Sequence, residues 1–255
     1  MFLTIQNMPF ETFSESLKVN VEKSCWQKTE KVLGIAVPSV MITYGLISLG
    51  DNSIRQLDYN VRNSIAEKNA FWNTGADNYL QFSPAVAAFG MKLCGVKSTH
   101  NLTDMAIIYA LSNVLEGGIV VVTKNITDRT RPDDSNTPSF PSGHTSTAFV
   151  AAEFLHREYK DKSVWISVGG YAMASFVGAA RIYNDRHWLS DVITGAGVGI
   201  LSTKAVYWAY PYIHPYIQKI FCPKSVNGKA KNTTQALFFP SYDQQCLSLN
   251  FSYSF

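Results

Sequence analysis

Six stretches of this chain are long, apolar and nearly free of charge. They run over residues 32–50, 78–91, 105–123, 144–156, 163–180 and 192–206. A helix needs about 20 apolar residues to span a bilayer core. The first and fifth stretches approach that length without a charge. The others are short or interrupted, by Pro84, Glu116, Glu153 and Lys204. Small residues decide between the readings. Gly169, Gly170, Ala172, Ala174, Gly178 and Ala179 crowd the fifth stretch, and Gly195, Gly197 and Gly199 the sixth. An isolated glycine costs a water-soluble helix about 1 kcal/mol. Between membrane helices, small residues permit close approach. The pattern predicts an all-α bundle of about six membrane-embedded helices. The alternative is a large soluble bundle with buried helices.

Composition narrows the classes. Of 255 residues, 46% are hydrophobic and 16% charged, with a net charge of +3. Soluble chains average about 25% charged residues. Disorder is excluded, and so is nucleic-acid binding through a broad basic surface. A mean hydropathy of −0.02 does not by itself separate membrane from soluble. Cys25, Cys94, Cys222 and Cys246 are scattered without ligand spacing, so neither a disulfide framework nor a zinc site is expected. The first residues lack a basic stretch followed by an apolar core, so no cleaved signal is expected. The expected division is a polar segment 1–31, a helical bundle 32–208 and a tail 209–255. Six spans with the N-terminus inside put 92–104 and 157–162 on the cytoplasmic side. Basic residues then show no clean inside bias, unless function holds those outside.

Three segments carry chemistry. In the first, Lys124 and Arg131 lie seven apart at the end of an apolar helix, with Pro132 following. Arg offers a planar fork to phosphate oxygens and Lys a compact charge. Both converge if the helix unwinds before Pro132. The second is Pro141-Ser142-Gly143-His144, a turn feeding a helix start. Free N–H groups there favour an anion. Ser142 adds a hydroxyl, Gly143 permits close approach and His144 moves protons near neutral pH. The third holds Arg181, His187 and Asp191. If helical, His187 and Asp191 share a face. The carboxylate then fixes the imidazole tautomer and leaves the other nitrogen as nucleophile or base. All three segments fall at helix ends, on one side of the six-span arrangement. Arg129 and Arg186 stand beside the motifs and read as solvated or headgroup-facing cations.

These segments resemble the three motifs of the type-2 phosphatidic acid phosphatase (PAP2) superfamily, Lys-x6-Arg-Pro, Pro-Ser-Gly-His and Ser-Arg-x5-His-x3-Asp. Order and spacing match over roughly residues 32–208, except that Ala180 replaces the leading Ser of the third motif. The resemblance implies a helical bundle of the PAP2/chloroperoxidase type and a metal-independent phosphatase with no cofactor. His187 is then the nucleophile forming a phosphohistidine, Asp191 its orienting partner and His144 the general acid and base. Lys124, Arg131, Ser142, Gly143 and Arg181 form the phosphate cradle.

Beyond the bundle, Leu247 to Phe255 alternates apolar and polar residues. This predicts a strand, paired with Ala236–Phe239 in a C-terminal β-hairpin through a turn near Pro240–Asp243. The tail resembles one on some Bacteroides-type PAP2 proteins. It tilts the expected substrate toward a lipid A phosphate over undecaprenyl diphosphate, phosphatidylglycerol phosphate or phosphatidic acid. The expected setting is the inner membrane of a Gram-negative cell, with the site facing the periplasm. A soluble acid phosphatase, a vanadate-dependent haloperoxidase and a non-enzymatic lipid-binding membrane protein are the competing readings.

Overall fold

The computed structural model describes residues 32–68, 70–72, 74–135, 138–221, 235–243 and 246–254. Expectations for residues 1–31, and for Cys25 and Cys222, lie outside them. The apolar stretches all become helix. Val32–Ser48 is α1, and α2 is Ser53–Glu67. The second stretch divides before Pro84 into a single turn, α3 (Asp77–Leu80), and α4 (Ser83–Leu93). The remaining helices are α5 (Leu102–Thr127), α6 (Gly143–Tyr159), α7 (Val164–Tyr183) and α8 (Leu189–Phe221). Helix starts carry the side chains that can satisfy free N–H groups. Asn52 accepts from the N–H of Ile54 and Arg55, Asn101 from Asp104, and Ser163 from Trp165.

Helix α6 is the centre, packed by α4, α5, α7 and α8. Its Ala148, Val150, Ala151, Ala152 and Phe154 are fully buried. Glycine sets how closely α8 approaches it. A Cβ on Gly195 would stand 2.5 Å from the Ser142 carbonyl oxygen, and one on Gly199 would overlap the Ser146 carbonyl. Gly197 faces α1 instead, 2.7 Å from the Pro38 carbonyl by the same measure. Gly169 meets nothing, so only part of the small-residue pattern serves packing.

Of the charges that interrupt the apolar stretches, Glu153 and Lys204 neutralise one another, and Glu116 is met by a hydroxyl. Glu153 of α6 is fully buried and accepts from Lys204 of α8 and Arg157, both at 2.8 Å. The Tyr171 hydroxyl donates to its other oxygen. Glu116 accepts from the Ser146 hydroxyl. A buried charge is tolerated only with such partners.

By length and composition, α5 is long and apolar enough to cross a membrane. The pair α1 and α2 passes only when joined across an 88° bend. The expected six spans are six helical regions, of which most are diluted by glycine, serine and charge below that standard. Bundle ends differ. The start of α5 meets the end of α6, where the N–H of His100 donates to Glu158 at 2.9 Å. The opposite end gathers the close of α5, the start of α6 and the α7–α8 turn.

The tail backbone forms two antiparallel strands, β1 (Gln235–Asp243) and β2 (Cys246–Ser254), with Phe238 opposite Phe251. Pro240 lies inside β1, opposite Leu249, rather than in the turn expected near Pro240–Asp243. A two-stranded ladder consists of edges, where a missing N–H is tolerated.

Candidate active site

The site forms where three helix ends meet. Helix α5 stops at Thr127, and Asp128 takes a left-handed conformation at φ 41°. The chain therefore unwinds before Arg131, as the first motif requires. Two bonds tie the returning segment to this end. The Lys124 ammonium donates to the Pro138 carbonyl at 3.0 Å and the Thr127 hydroxyl to the Phe140 carbonyl at 3.3 Å. Ser142 then caps α6 by backbone position. Its N–H donates to the Asp191 carbonyl at 3.0 Å, and its buried hydroxyl pairs with Thr145 at 2.9 Å. Gly143 opens the helix and His144 stands on its first turn.

His187 precedes α8 rather than lying in it. It still meets Asp191, because the Asp191 carboxylate folds back to accept the Trp188 N–H at 3.0 Å. That is a capping box, in which a side chain on the first turn satisfies the capping residue's backbone. The same oxygen lies 3.5 Å from His187 Nδ1 and also accepts from the Ser139 hydroxyl, itself 3.4 Å from Nδ1. His187 is 3% exposed and Asp191 fully buried. Burial holds the His187 imidazole below its ordinary pKa. Arg181 and Lys124 press the same way, while Asp191 opposes them. The neutral ring is favoured, with Nε2 as its nitrogen turned from Asp191.

Arg129 departs from the solvated reading. It is 7% exposed and braces the Asp191 carboxylate behind His187. One nitrogen donates to Asp191 at 2.9 Å and to Ser190 at 2.8 Å; the other meets Asp58 at 2.7 Å. Asp58 also accepts from the Ser190 N–H and hydroxyl. The guanidinium lies over the Trp188 ring at 5.5 Å. Two buried carboxylates claim this cation, which is why it leaves solvent. Arg186 stays at the rim, bonded to Asp133 at 2.9 Å and Ser135 at 3.3 Å.

A cavity of about 310 Å³ opens beside these groups, lined by Arg131, Arg181, Arg186, Asp77 and Asn78 among others. Arg181 donates to Asp77, and its buried Nε has no partner among the described residues. The Arg131 side chain makes no hydrogen bond or ion pair among the described residues, and its Nε is buried. Burial and the nearby Arg181 push its guanidinium below the ordinary pKa. An unpaired Arg131 held beside Arg181 and Arg186, with only Asp77 and Asp133 to balance the three, favours an anion. His144 joins the cavity through Asn78, whose oxygen accepts from Nε2 at 2.8 Å. No group of three His, Cys, Asp or Glu side chains among the described residues has metal-holding geometry.

The three predicted segments thus meet at one place. The sequence reading missed Asp58, Asp77, Asn78 and Ser139. The first three lie in or beside residues 51–77, read as a polar loop with an amphipathic helix. For Asp77 and Asn78 the signal was a carboxylate and an amide with no cation nearby in sequence, beside motifs with surplus cations; Asp58, flanked by Arg55 and Arg62, gave none.

A helical bundle with a basic pocket backed by a histidine–aspartate pair defines the class. A model of the PAP2 superfamily matches residues 105–215, and the chain carries a domain of that superfamily. It is 42% identical over 159 residues to a lipid A 1-phosphatase of Porphyromonas gingivalis, a match spanning 62% of this chain and 34% of that protein. It is 28% identical over 141 residues to phosphatidylglycerophosphatase B of Bacillus subtilis, covering 50% of this chain and 66% of that one. The chain thus spans about a third of the length of the first of these relatives and about two thirds of the second. Among solved structures, a transmembrane PAP2-type phosphatidylglycerolphosphate phosphatase from Bacillus subtilis aligns at 19% identity and a TM-score of 0.48, over 69% of this chain and 97% of that one.

Proposed function

We propose that the protein is a metal-independent lipid phosphate phosphatase that works through a phosphohistidine. The observation that carries this reading is His187, backed by Asp191 and within electrostatic reach of Lys124 and of Arg181, which lines a basic cavity with the unpaired Arg131. His187 Nε2 attacks phosphorus in line as the bond to the lipid oxygen breaks. Asp191 holds Nδ1–H and stabilises the charged ring. His144 protonates the departing alkoxide, then takes a proton from the water that releases phosphate from His187. Lys124, Arg131 and Arg181 neutralise the phosphoryl oxygens, with the Gly143 N–H and Ser142 hydroxyl completing the cradle. The third motif's Ser position, Ala180, is 1% exposed on α7 and offers no donor.

A membrane setting is supported by α5, whose most apolar window is only 28% buried within the fold. Val114, Val121 and Ile126 stand outward at 57% exposure or more. We place the catalytic bundle 32–208 in the inner membrane with the motif end facing the periplasm. The lipid A 1-phosphatase relative favours a lipid A phosphate over undecaprenyl diphosphate, phosphatidylglycerol phosphate or phosphatidic acid. The test is phosphate release from a panel of these lipids in detergent. Wild type is expected to act with EDTA present, and His187→Ala to lose activity while keeping the wild-type melting temperature. A folded His187→Ala protein with wild-type turnover would sink the mechanism. Loss in EDTA restored only by a divalent metal would remove the metal-independent part.

A further inference from the structure

A second basic cavity adjoins the first and shares Arg131 with it. Its volume is about 480 Å³, and it opens between the α1–α2 turn and the segment after α5. Arg55, Arg62, Arg129 and Arg131 line it, with the carboxylates of Asp128 and Asp134. Two of these cations are committed. Arg62 forms a paired bridge with Asp185 at 2.9 Å, and Arg129 serves Asp58 and Asp191. Arg55 is held in place through the Leu49 carbonyl at 3.0 Å and the Tyr59 hydroxyl at 3.2 Å, which leaves N–H groups of its fork unused. Arg131 has all of its donors unused among the described residues. Tyr59 and Trp188 meet edge to face at 5.1 Å and supply an aromatic wall.

We infer that this cavity is a second anion subsite, which takes a phosphate-bearing polar group while the scissile phosphate occupies the first cavity. It rests on the phosphatase reading and adds to it a preference for a second phosphate beside the scissile one. Three observations carry it. Arg131 borders both cavities, so one guanidinium can face an anion on either side. Arg55 is fixed in position, yet among the described residues its charge has no carboxylate partner. The volume exceeds that of a phosphate several-fold and suits a sugar or similar group beside an aromatic ring. The second phosphate lies either on the substrate itself or on a neighbouring lipid.

The experiment compares an acylated disaccharide bearing one phosphate with the same molecule bearing two, in neutral detergent. A third arm adds a non-hydrolysable phosphonolipid to the monophosphate. Wild type is expected to show about tenfold higher kcat/KM for the bisphosphate, or the same gain for the monophosphate when the phosphonolipid is present. The first outcome places both phosphates on one molecule, the second on two. Arg55→Gln, which keeps a donor at the position of the Nε that bonds the Tyr59 hydroxyl, is expected to erase most of that preference. Asp134→Asn is expected to raise it, because an exposed carboxylate leaves the rim. Lys97→Ala, at the far end of the bundle, should leave the ratio unchanged. Hydrolysis of all substrates with no preference, unmoved by Arg55→Gln and Asp134→Asn, would overturn the subsite. No hydrolysis of any substrate by folded wild type would overturn the phosphatase reading instead.

Discussion

At the scale of single residues, the protonation of His187 controls the proposed chemistry. Attack needs the neutral ring, and a depressed pKa keeps it neutral to lower pH. Activity should therefore fall only as pH drops through a value below the ordinary 6.5. The acid limb of kcat/KM measures this, and a limb above 6.5 would contradict the burial argument. Asp191 raises the pKa of His187, so Asp191→Asn should move that limb lower still and cut kcat about 10²- to 10⁴-fold. Arg129 makes a different prediction. Its removal in Arg129→Met strands Asp58 and Asp191, which should cost about 3–5 kcal/mol in denaturant unfolding. Arg186→Ala, with its side chain 46% exposed, should cost less than about 1 kcal/mol. The candidate site residues were legible because they share three short segments with fixed spacings. Arg129 was not, because its partner Asp58 lies 71 residues away and only the fold joins them.

At the scale of elements, glycine placement separates packing from composition. Gly195→Ala drives a methyl group into the turn that begins α6 and should cost about 1–3 kcal/mol, with loss of activity because Ser142 and His144 shift together. Gly169→Ala meets open space and should leave the melting temperature equal or higher. Similar losses from both would show that small residues act through composition alone. The helices themselves were readable from apolar runs. Which glycine faced a neighbour was not, since that depends on rotation of α8 against α6. The far end of the bundle offers a pH test. Hydrogen bonding to Glu158 raises the His100 pKa above 6.5. The stabilisation is then fully present below 6.5 and lost as pH rises through the folded value. His100→Gln should therefore destabilise the protein more at pH 5.5 than at pH 9, measured as the difference in melting temperature from wild type.

At the scale of the whole molecule, the two ends of the bundle are chemically different and lie far apart. Helix α5 joins them, and 26 residues at 1.5 Å each span roughly 39 Å. One end holds the arginine-lined cavities. The other holds His100, Glu158 and the exposed Cys94, which follows α4. Lys92 ties that α4 end to the start of α5 by donating to the His100 carbonyl at 3.0 Å. If the bundle spans a membrane with its site outward, these ends meet different solutions. The two-sided distribution of segments was inferable from alternation of apolar runs, but its hand was not, because basic residues cluster at the motif end as well and mask the usual charge bias. Cysteine labelling supplies the hand. In a protein whose Cys25, Cys222 and Cys246 are serine, Cys94 should react with an impermeant maleimide only after cells are lysed. A second protein with Cys94 also replaced and Thr130→Cys introduced at the exposed motif end should react in intact cells. The reverse pattern would turn the site toward the cytoplasm, and equal labelling of both in intact cells would argue against a spanning bundle altogether.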